Sequence, residues 1–307
     1  MNDWLSIHRG EAPLVLAFPH TGTDIPAEIE ERLVSPDLAR KDADWWVDRL
    51  YAFAAEKGAT LVKTATSRTV IDVNRDPAGA SLYPGQATTG LCPVTTFDGE
   101  PLYRPGEEPD AAEIDDRKAR WFAPYHAALA AEIERLRRAH GHVVLYDCHS
   151  IRSAIPRLFD GELPHFNIGT YDGATCAPEL QERIERVCRS FSAFPGEGRG
   201  PVGITGGTER SASQLPLSML DPGLRRGSSE RWTTVVNGRF KGGWTTRHYG
   251  RPAEGIHAIQ MELACRGYLA EPIGPDPHPW PVPFDPEAAR PMAAILERVI
   301  QACLEPL

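Results

Sequence analysis

The sequence predicts a single α/β domain with a central, mixed and mostly parallel β-sheet flanked by helices. Three observations point there. Apolar runs of five to eight residues recur along the chain, the right length for buried strands and too short for helices. Segments with a helical period separate several of them. No internal repeat and no interdomain linker divides the 307 residues, so 1–307 is read as one domain.

The elements follow in order. LVLAFP (14–19) is apolar and stops at a proline, as a buried strand does. Ser35-Pro36 reads as an N-cap followed by a first-turn proline, opening a helical pattern toward Lys57-Gly58 with a break near Asp42. ATLVKTAT (59–66) and TVIDVN (69–74) are expected strands. Residues 75–110, rich in glycine, proline and threonine, form a long loop of the kind that often carries function. Glu113 to Arg138 is an amphipathic helix stopped by Gly141. HVVLYDC (142–148), FNIGT (166–170) and IHAIQMEL (256–263) are further strands, and 177–191 and 285–304 further helices. Short strands and a hairpin are expected in 195–250, and a proline-rich wrap in Pro272–Pro286.

Composition removes several classes of function. A formal net charge of −9 and the lack of any lysine/arginine cluster argue against a nucleic-acid partner. No apolar run approaches the roughly 18 residues of a membrane span. The N-terminus, MNDWLSIHRGE, has no signal-peptide layout. The six cysteines are scattered without a CxxC pair and read as reduced thiols. The expectation is a cytoplasmic enzyme of small molecules; oligomeric state is not legible.

In α/β sheets reactive groups collect where strands end. Three such ends carry His20, His149 and Glu262. Taken singly, a strand-end histidine is most often a hydrogen-bonded core residue. Together, two imidazoles and a glutamate fit a metal hydrolase, whose catalytic zinc has three protein ligands and an open position. A carboxylate should complete the set. Asp24, Asp42, Asp44 and Asp147 are candidates, and Asp44, near a helix start and beside Trp45 and Trp46, is preferred. Glu262 is then the general acid/base. A triad of Asp147, His149 and Ser150 is disfavoured, because adjacent strand residues point to opposite faces; Cys148 fails likewise, and no GxSxG elbow occurs.

On the substrate side, Asn74 and Arg75 at a strand end can grip a carboxylate. Arg152, Arg247 and His248 add positive or hydrogen-bonding groups. Several arginines near a metal in an acidic protein point to a small anionic substrate with more than one carboxylate.

PHTG (19–22), DADW (42–45), SRTVIDVNRD (67–76), DCHSIRS (147–153), NGRFKGGWTTRHYGRP (237–252) and MELA (261–264) resemble the N-formylglutamate amidohydrolase family. The likeness runs from about residue 12 to 266 and is most specific in 237–252. It implies a zinc-carboxypeptidase-like fold related to the aspartoacylase type, and hydrolysis of N-formyl-L-glutamate to glutamate and formate in histidine degradation. It implies His20 and His149 as zinc ligands, Glu262 as base and Asn74-Arg75 as carboxylate clamp. The carboxypeptidase pattern has glutamate three residues after the first histidine; Thr23 stands there, so the acidic ligand is sought in Asp44. Trp46 stands where histidine is expected. Zn²⁺ is the expected metal, and Co²⁺, Mn²⁺ or Fe²⁺ also suit such donors. Arg152 or Arg247 would hold the oxyanion. The alternatives are a deacylase or carboxypeptidase acting on another N-acyl amino acid or peptide, and a non-catalytic dicarboxylate-binding protein.

Overall fold

Seven strands make one sheet: β1 (Leu5–His8), β2 (Leu14–Phe18), β3 (Thr60–Thr64), β4 (Val143–Ile151), β5 (Phe166–Gly169), β6 (Thr234–Val236) and β7 (Ile256–Ala264). Their order is β1-β3-β2-β4-β7-β5-β6 in a computed structural model that describes residues 3–190, 232–271 and 280–306. β3, β2, β4 and β7 run parallel, and β1 and β5 add antiparallel neighbours at either side. The sheet is therefore mixed and mostly parallel, as expected.

The central strands are buried at every residue, which is why they read as continuous apolar runs. Alternation sorts their side chains onto two faces. One face carries Leu14, Leu16, Phe18, Tyr146, Ile259 and Met261. It is covered by α3 (Val47–Leu50), α6 (Pro178–Ser190) and α8 (Pro286–Leu304). The other carries Val15, Ala17, Val143, Leu145 and Ala258. It is covered by α1 (Ala27–Glu30), α2 (Pro36–Arg40) and α5 (Ala123–His140), with α4 (Ala111–Arg117) leading into α5 through a π-turn. A last short helix, α7 (Trp244–Tyr249), precedes β7.

Local signals explain the helix ends. Ser35 Oγ accepts from the Leu38 N–H and caps α2. Gly141 closes α5 in the left-handed conformation, φ 80°, its N–H returning to the Arg137 carbonyl. Asp285 caps α8 ahead of a first-turn proline.

One element differs from the sequence expectation. Residues 69–74 form turns, not a strand. Val70, Ile71 and Val73 are buried, which is what the alternation signals, but the backbone joins no ladder. Asp72 N–H donates to the Leu91 carbonyl and Asn74 N–H to the Asp72 carboxylate. The helical pattern from Pro36 breaks near Asp42, as expected. After α2 the chain turns through 41–46 to present Asp44 inward, and Trp46 takes a left-handed φ of 63°. Trp46 donates its indole N–H to the Val282 carbonyl at 2.9 Å, so it anchors the C-terminal segment. Most of the expected hairpin region and of the proline-rich wrap lies outside the described residues. No described helix is long and apolar enough to cross a membrane.

Candidate active site

The sheet face that carries the second apolar cluster changes character toward the strand ends. On β4, Val143 and Leu145 give way to Asp147 and His149; on β7, Ile256 and Ala258 give way to Gln260 and Glu262. The register sets Asp147 beside Gln260 and His149 beside Glu262. His20 lies just past β2, which is parallel to β4 and adjacent to it, so it reaches the same edge. Its turn passes against the end of β3 at Gly22, where a Cβ would meet the Ala65 carbonyl carbon at 2.4 Å.

His20, Asp44 and His149 come together, one ligand atom from each lying within 4.8 Å of the others. Asp44 Oδ2 is 2.9 Å from His149 Nδ1 and 3.6 Å from His20 Nδ1. The Asp44 N–H donates to the His20 carbonyl, which ties the two ligand-bearing turns together. On the far side each imidazole meets a second carboxylate: His20 Nε2 to Asp72 Oδ1 at 2.7 Å, and His149 Nε2 to Asp147 Oδ2 at 3.0 Å. That pattern fixes which nitrogen is protonated and turns both Nδ1 atoms toward Asp44. Among the described residues, buried His20 Nδ1 has no hydrogen-bond partner. A divalent cation between these atoms would supply it. Two imidazoles and a carboxylate, each backed from behind, are a donor set suited to one.

The electrostatics agree. Burial works against charge on Asp44, but the facing His20 and His149 overcome it and hold the carboxyl low. Burial also disfavours charge on His149, yet Asp147 and Asp44 raise its pKa well above the usual range. The cluster favours a positive charge at its centre. Asp72 is held well below its ordinary value, its burial outweighed by Arg75, His20 and Arg68.

Glu262 is different. Burial pushes its pKa up to about 8, and the Asp44 charge adds to the rise while His149 opposes it. Its Oε2 accepts from Gln260 Nε2 at 3.1 Å, and Gln260 Oε1 accepts from the Gly243 N–H at 2.6 Å. A pocket opens over His20, His149 and Glu262, with Arg68, Arg75 and Arg239 also in its wall.

Asn74 and Arg75 both reach the pocket, but they are not equally free. The Asn74 amide is engaged at both ends: its Oδ1 accepts from Thr245 N–H at 2.8 Å and its Nδ2 donates to Asp147 Oδ2 at 3.2 Å, in contact with His149 Nε2 at 3.0 Å. Arg75 binds the Thr89 carbonyl and hydroxyl and stands 3.6 Å from Asp72. Three expected substrate contacts lie elsewhere. Arg152 turns away from the pocket to Asp98 at 2.6 Å and Asp42 at 3.2 Å, because those carboxylates sit on the segments packed beside β4. Arg247 is spent on the Gly242 and Leu82 carbonyls and lies over Tyr83 and Tyr171. His248 is exposed and stacks on Trp244. Of the other carboxylate candidates, Asp24 is exposed, Asp42 accepts from Phe97 N–H, and Asp147 sits behind His149.

The sequence reading did not single out Asp72, Arg68, Gln260 or Arg239. Each lies inside a motif it quoted or one alternation step from a residue it named. Arg68 binds Asp72 at 2.6 Å and stands 3.6 Å from Asp44.

Fold and site together define a class: an α/β protein with a buried His-Asp-His cluster that could hold a cation and an adjoining glutamate at the carboxyl edge of its sheet. Residues 12–269 match the family described as N-formylglutamate amidohydrolase. The chain is 38% identical over 304 residues to an N-formylglutamate deformylase of Pseudomonas putida, covering 99% of this chain and 97% of that one. Identity and coverage are the same for an N-formylglutamate deformylase of Pseudomonas aeruginosa. A crystal structure of an N-formylglutamate amidohydrolase from Ralstonia eutropha JMP134 superposes with a TM-score of 0.66 at 26% identity, over 98% of this chain and 96% of that one. A structure from Agrobacterium tumefaciens, with a TM-score of 0.63 at 17% identity over 98% and 94% of the two chains, shares the fold. The chain belongs to the N-formylglutamate amidohydrolase family.

Proposed function

We propose that this protein hydrolyses N-formyl-L-glutamate to L-glutamate and formate, with a divalent metal held by His20, Asp44 and His149 and with Glu262 as general acid/base. The observation that carries the reading is the His20–Asp44–His149 cluster, each imidazole braced by its own carboxylate, in a chain 38% identical to deformylases of that name. Zn²⁺ is the ion such donors favour, and Co²⁺, Mn²⁺ or Fe²⁺ also fit them. When bound, the ion lowers the pKa of water at the site to about 7, polarises the formyl carbonyl and draws Glu262 back toward ionisation.

The protein's own groups do the rest. Glu262 takes the proton of the attacking water and returns it to the nitrogen of the departing amine. Its buried setting raises its proton affinity, which matches it to both transfers. Gln260 holds its second oxygen in place. The oxyanion role expected of Arg152 or Arg247 falls in this reading to Arg68, which shares the pocket wall with His20 and Glu262. Arg75 holds a substrate carboxylate, and Asn74 keeps His149 oriented.

The test is a formate-release assay on N-formyl-L-glutamate with metal analysis of the same sample. Activity should disappear on chelation and return with Zn²⁺. Absence of formate from fully metal-loaded protein would reject the reading.

A further inference from the structure

Arg239 is a cation with one donor group left over. Its Nε donates to the Leu158 carbonyl at 2.8 Å and its Nη2 to the Ala87 carbonyl at 2.9 Å. Its Nη1 is buried and has no hydrogen-bond partner among the described residues. The guanidinium packs on Tyr83 and Phe240, each ring centre 5.3 Å away. It lines the same pocket as His20, Arg75 and Glu262. Arg68 and Arg152 have carboxylates in contact, but no described carboxylate pairs with Arg239. Burial pushes its pKa down and the nearby Arg75 adds to that, while Tyr83 and Glu262 oppose it. A half-buried guanidinium with no carboxylate in ion-pair contact is favoured by an incoming anion. Two carbonyls fix its plane, and the guanidinium lines the pocket that an anionic substrate would enter.

We infer that Arg239 is a specificity-determining residue that binds the distal, side-chain carboxylate of the substrate, while Arg75 holds the carboxylate next to the scissile amide. Covalent structure divides the two. The α-carboxylate hangs on the carbon that bears the amide nitrogen and must stay near the metal ligands. Arg75 follows Asn74, which touches His149. The side-chain carboxylate lies farther from the amide, and Arg239 is held at the pocket wall by the Leu158 and Ala87 carbonyls, on segments other than those that carry His20, Asp44 and His149. The inference rests on the N-formylglutamate reading and adds the group that selects a dicarboxylic amino acid.

Steady-state kinetics of Arg239→Gln on N-formyl-L-glutamate and its neutral isostere N-formyl-L-glutamine test it. For the glutamate substrate KM should rise about a hundredfold, the loss typical of removing one side of a buried charge contact, with little change in kcat. For the glutamine substrate kcat/KM should stay within about threefold of wild type, since no charge contact is lost there. Equal losses on both substrates, or none on either, overturn the inference. Arg239→Lys keeps the charge and must recover part of the glutamate preference; if it matches Gln the anchor is wrong. Calorimetric titration with glutarate needs no turnover and should show the same loss in Arg239→Gln. If the wild type releases no formate yet glutarate binding falls in the variant, the proposed reaction fails and the anchor stands. Unchanged glutarate binding beside intact turnover removes the anchor alone.

Discussion

His149 and Glu262 stand directly opposite each other on the adjacent parallel strands β4 and β7, at the same level and on the same face. A ligand-bearing imidazole and a buried carboxylic acid are thus placed by the ladder itself. No loop has to fold correctly to set their separation. The proposed division of labour predicts that Glu262→Gln keeps metal content and KM near wild type while kcat falls by roughly 10²–10⁴. Metal analysis with steady-state kinetics decides it; turnover within a few-fold of wild type would take Glu262 out of the chemistry.

Asp72 accepts from His20 at 2.7 Å and also holds Arg68, so it braces the ligand set from behind. Asp72→Asn should weaken metal binding by about 10–100-fold, the usual effect of removing such a partner. Competition titration against a chromophoric chelator measures this directly. Unaltered affinity would show that the carboxylate serves only packing.

How far these residues could be foreseen depends on where their partners lie. His20, His149 and Glu262 announce themselves because each follows an apolar run at a strand end, and parallel strands share one edge. Asp44 was harder to choose among the candidate carboxylates, since the turn through 41–46 is set by tertiary contacts such as Asp44 N–H to the His20 carbonyl. Arginines were the least legible. Arg152 and Arg247 look as available in the sequence as Arg68 and Arg239 do. What separates them is whether a distant carboxylate or carbonyl has already claimed the guanidinium: Asp42 and Asp98 for one, Gly242 and Leu82 for the other. The strand expected at 69–74 failed for a related reason. Its apolar alternation reports burial correctly, but Leu91 and the Asp72 carboxylate satisfy its backbone in place of a ladder.

Arg152 therefore becomes a structural residue. It joins the 41–46 turn to the loop that carries Asp98 and Phe97, and the Phe97 ring lies 4.8 Å from the Arg68 guanidinium. Arg152→Gln should lower stability by about 1.5–3 kcal/mol, the range for lost hydrogen bonds to charged groups. KM for N-formyl-L-glutamate should hold within about twofold, since the variant removes no substrate contact. Chemical denaturation and kinetics on the same preparation separate the two outcomes. A large KM increase without destabilisation would return Arg152 to the substrate site.

Gly243 permits the closest approach in the site. Its N–H reaches Gln260 Oε1 at 2.6 Å, and a Cβ there would stand 2.3 Å from Asn74 Nδ2. The Asn74 amide cannot move aside without losing its hydrogen bonds to Thr245 or Asp147. Gly243→Ala should cost about 1–3 kcal/mol, as overpacking does. It should also reduce metal affinity, because Asn74 touches His149. A variant with wild-type melting and metal binding would mean that the 243–245 turn yields freely.

The metal-free protein should carry a pH signature of Glu262. Its folded pKa is raised by burial from 4.5 to about 8. Between those values the native state holds a proton that the unfolded chain releases. This group's contribution is complete below pH 4.5 and is lost as pH rises toward 8. From pH 6 to 9 the chelated wild type should thus lose roughly 2 kcal/mol more stability than chelated Glu262→Gln, which has no proton to give up. Adding Zn²⁺ should shrink the gap, since a cation among His20, Asp44 and His149 stabilises the ionised glutamate. Urea titrations of both proteins in chelator at the two pH values provide the comparison. Parallel losses would mean that the Glu262 carboxyl is solvated in solution, and its place as a buried proton carrier would have to be abandoned.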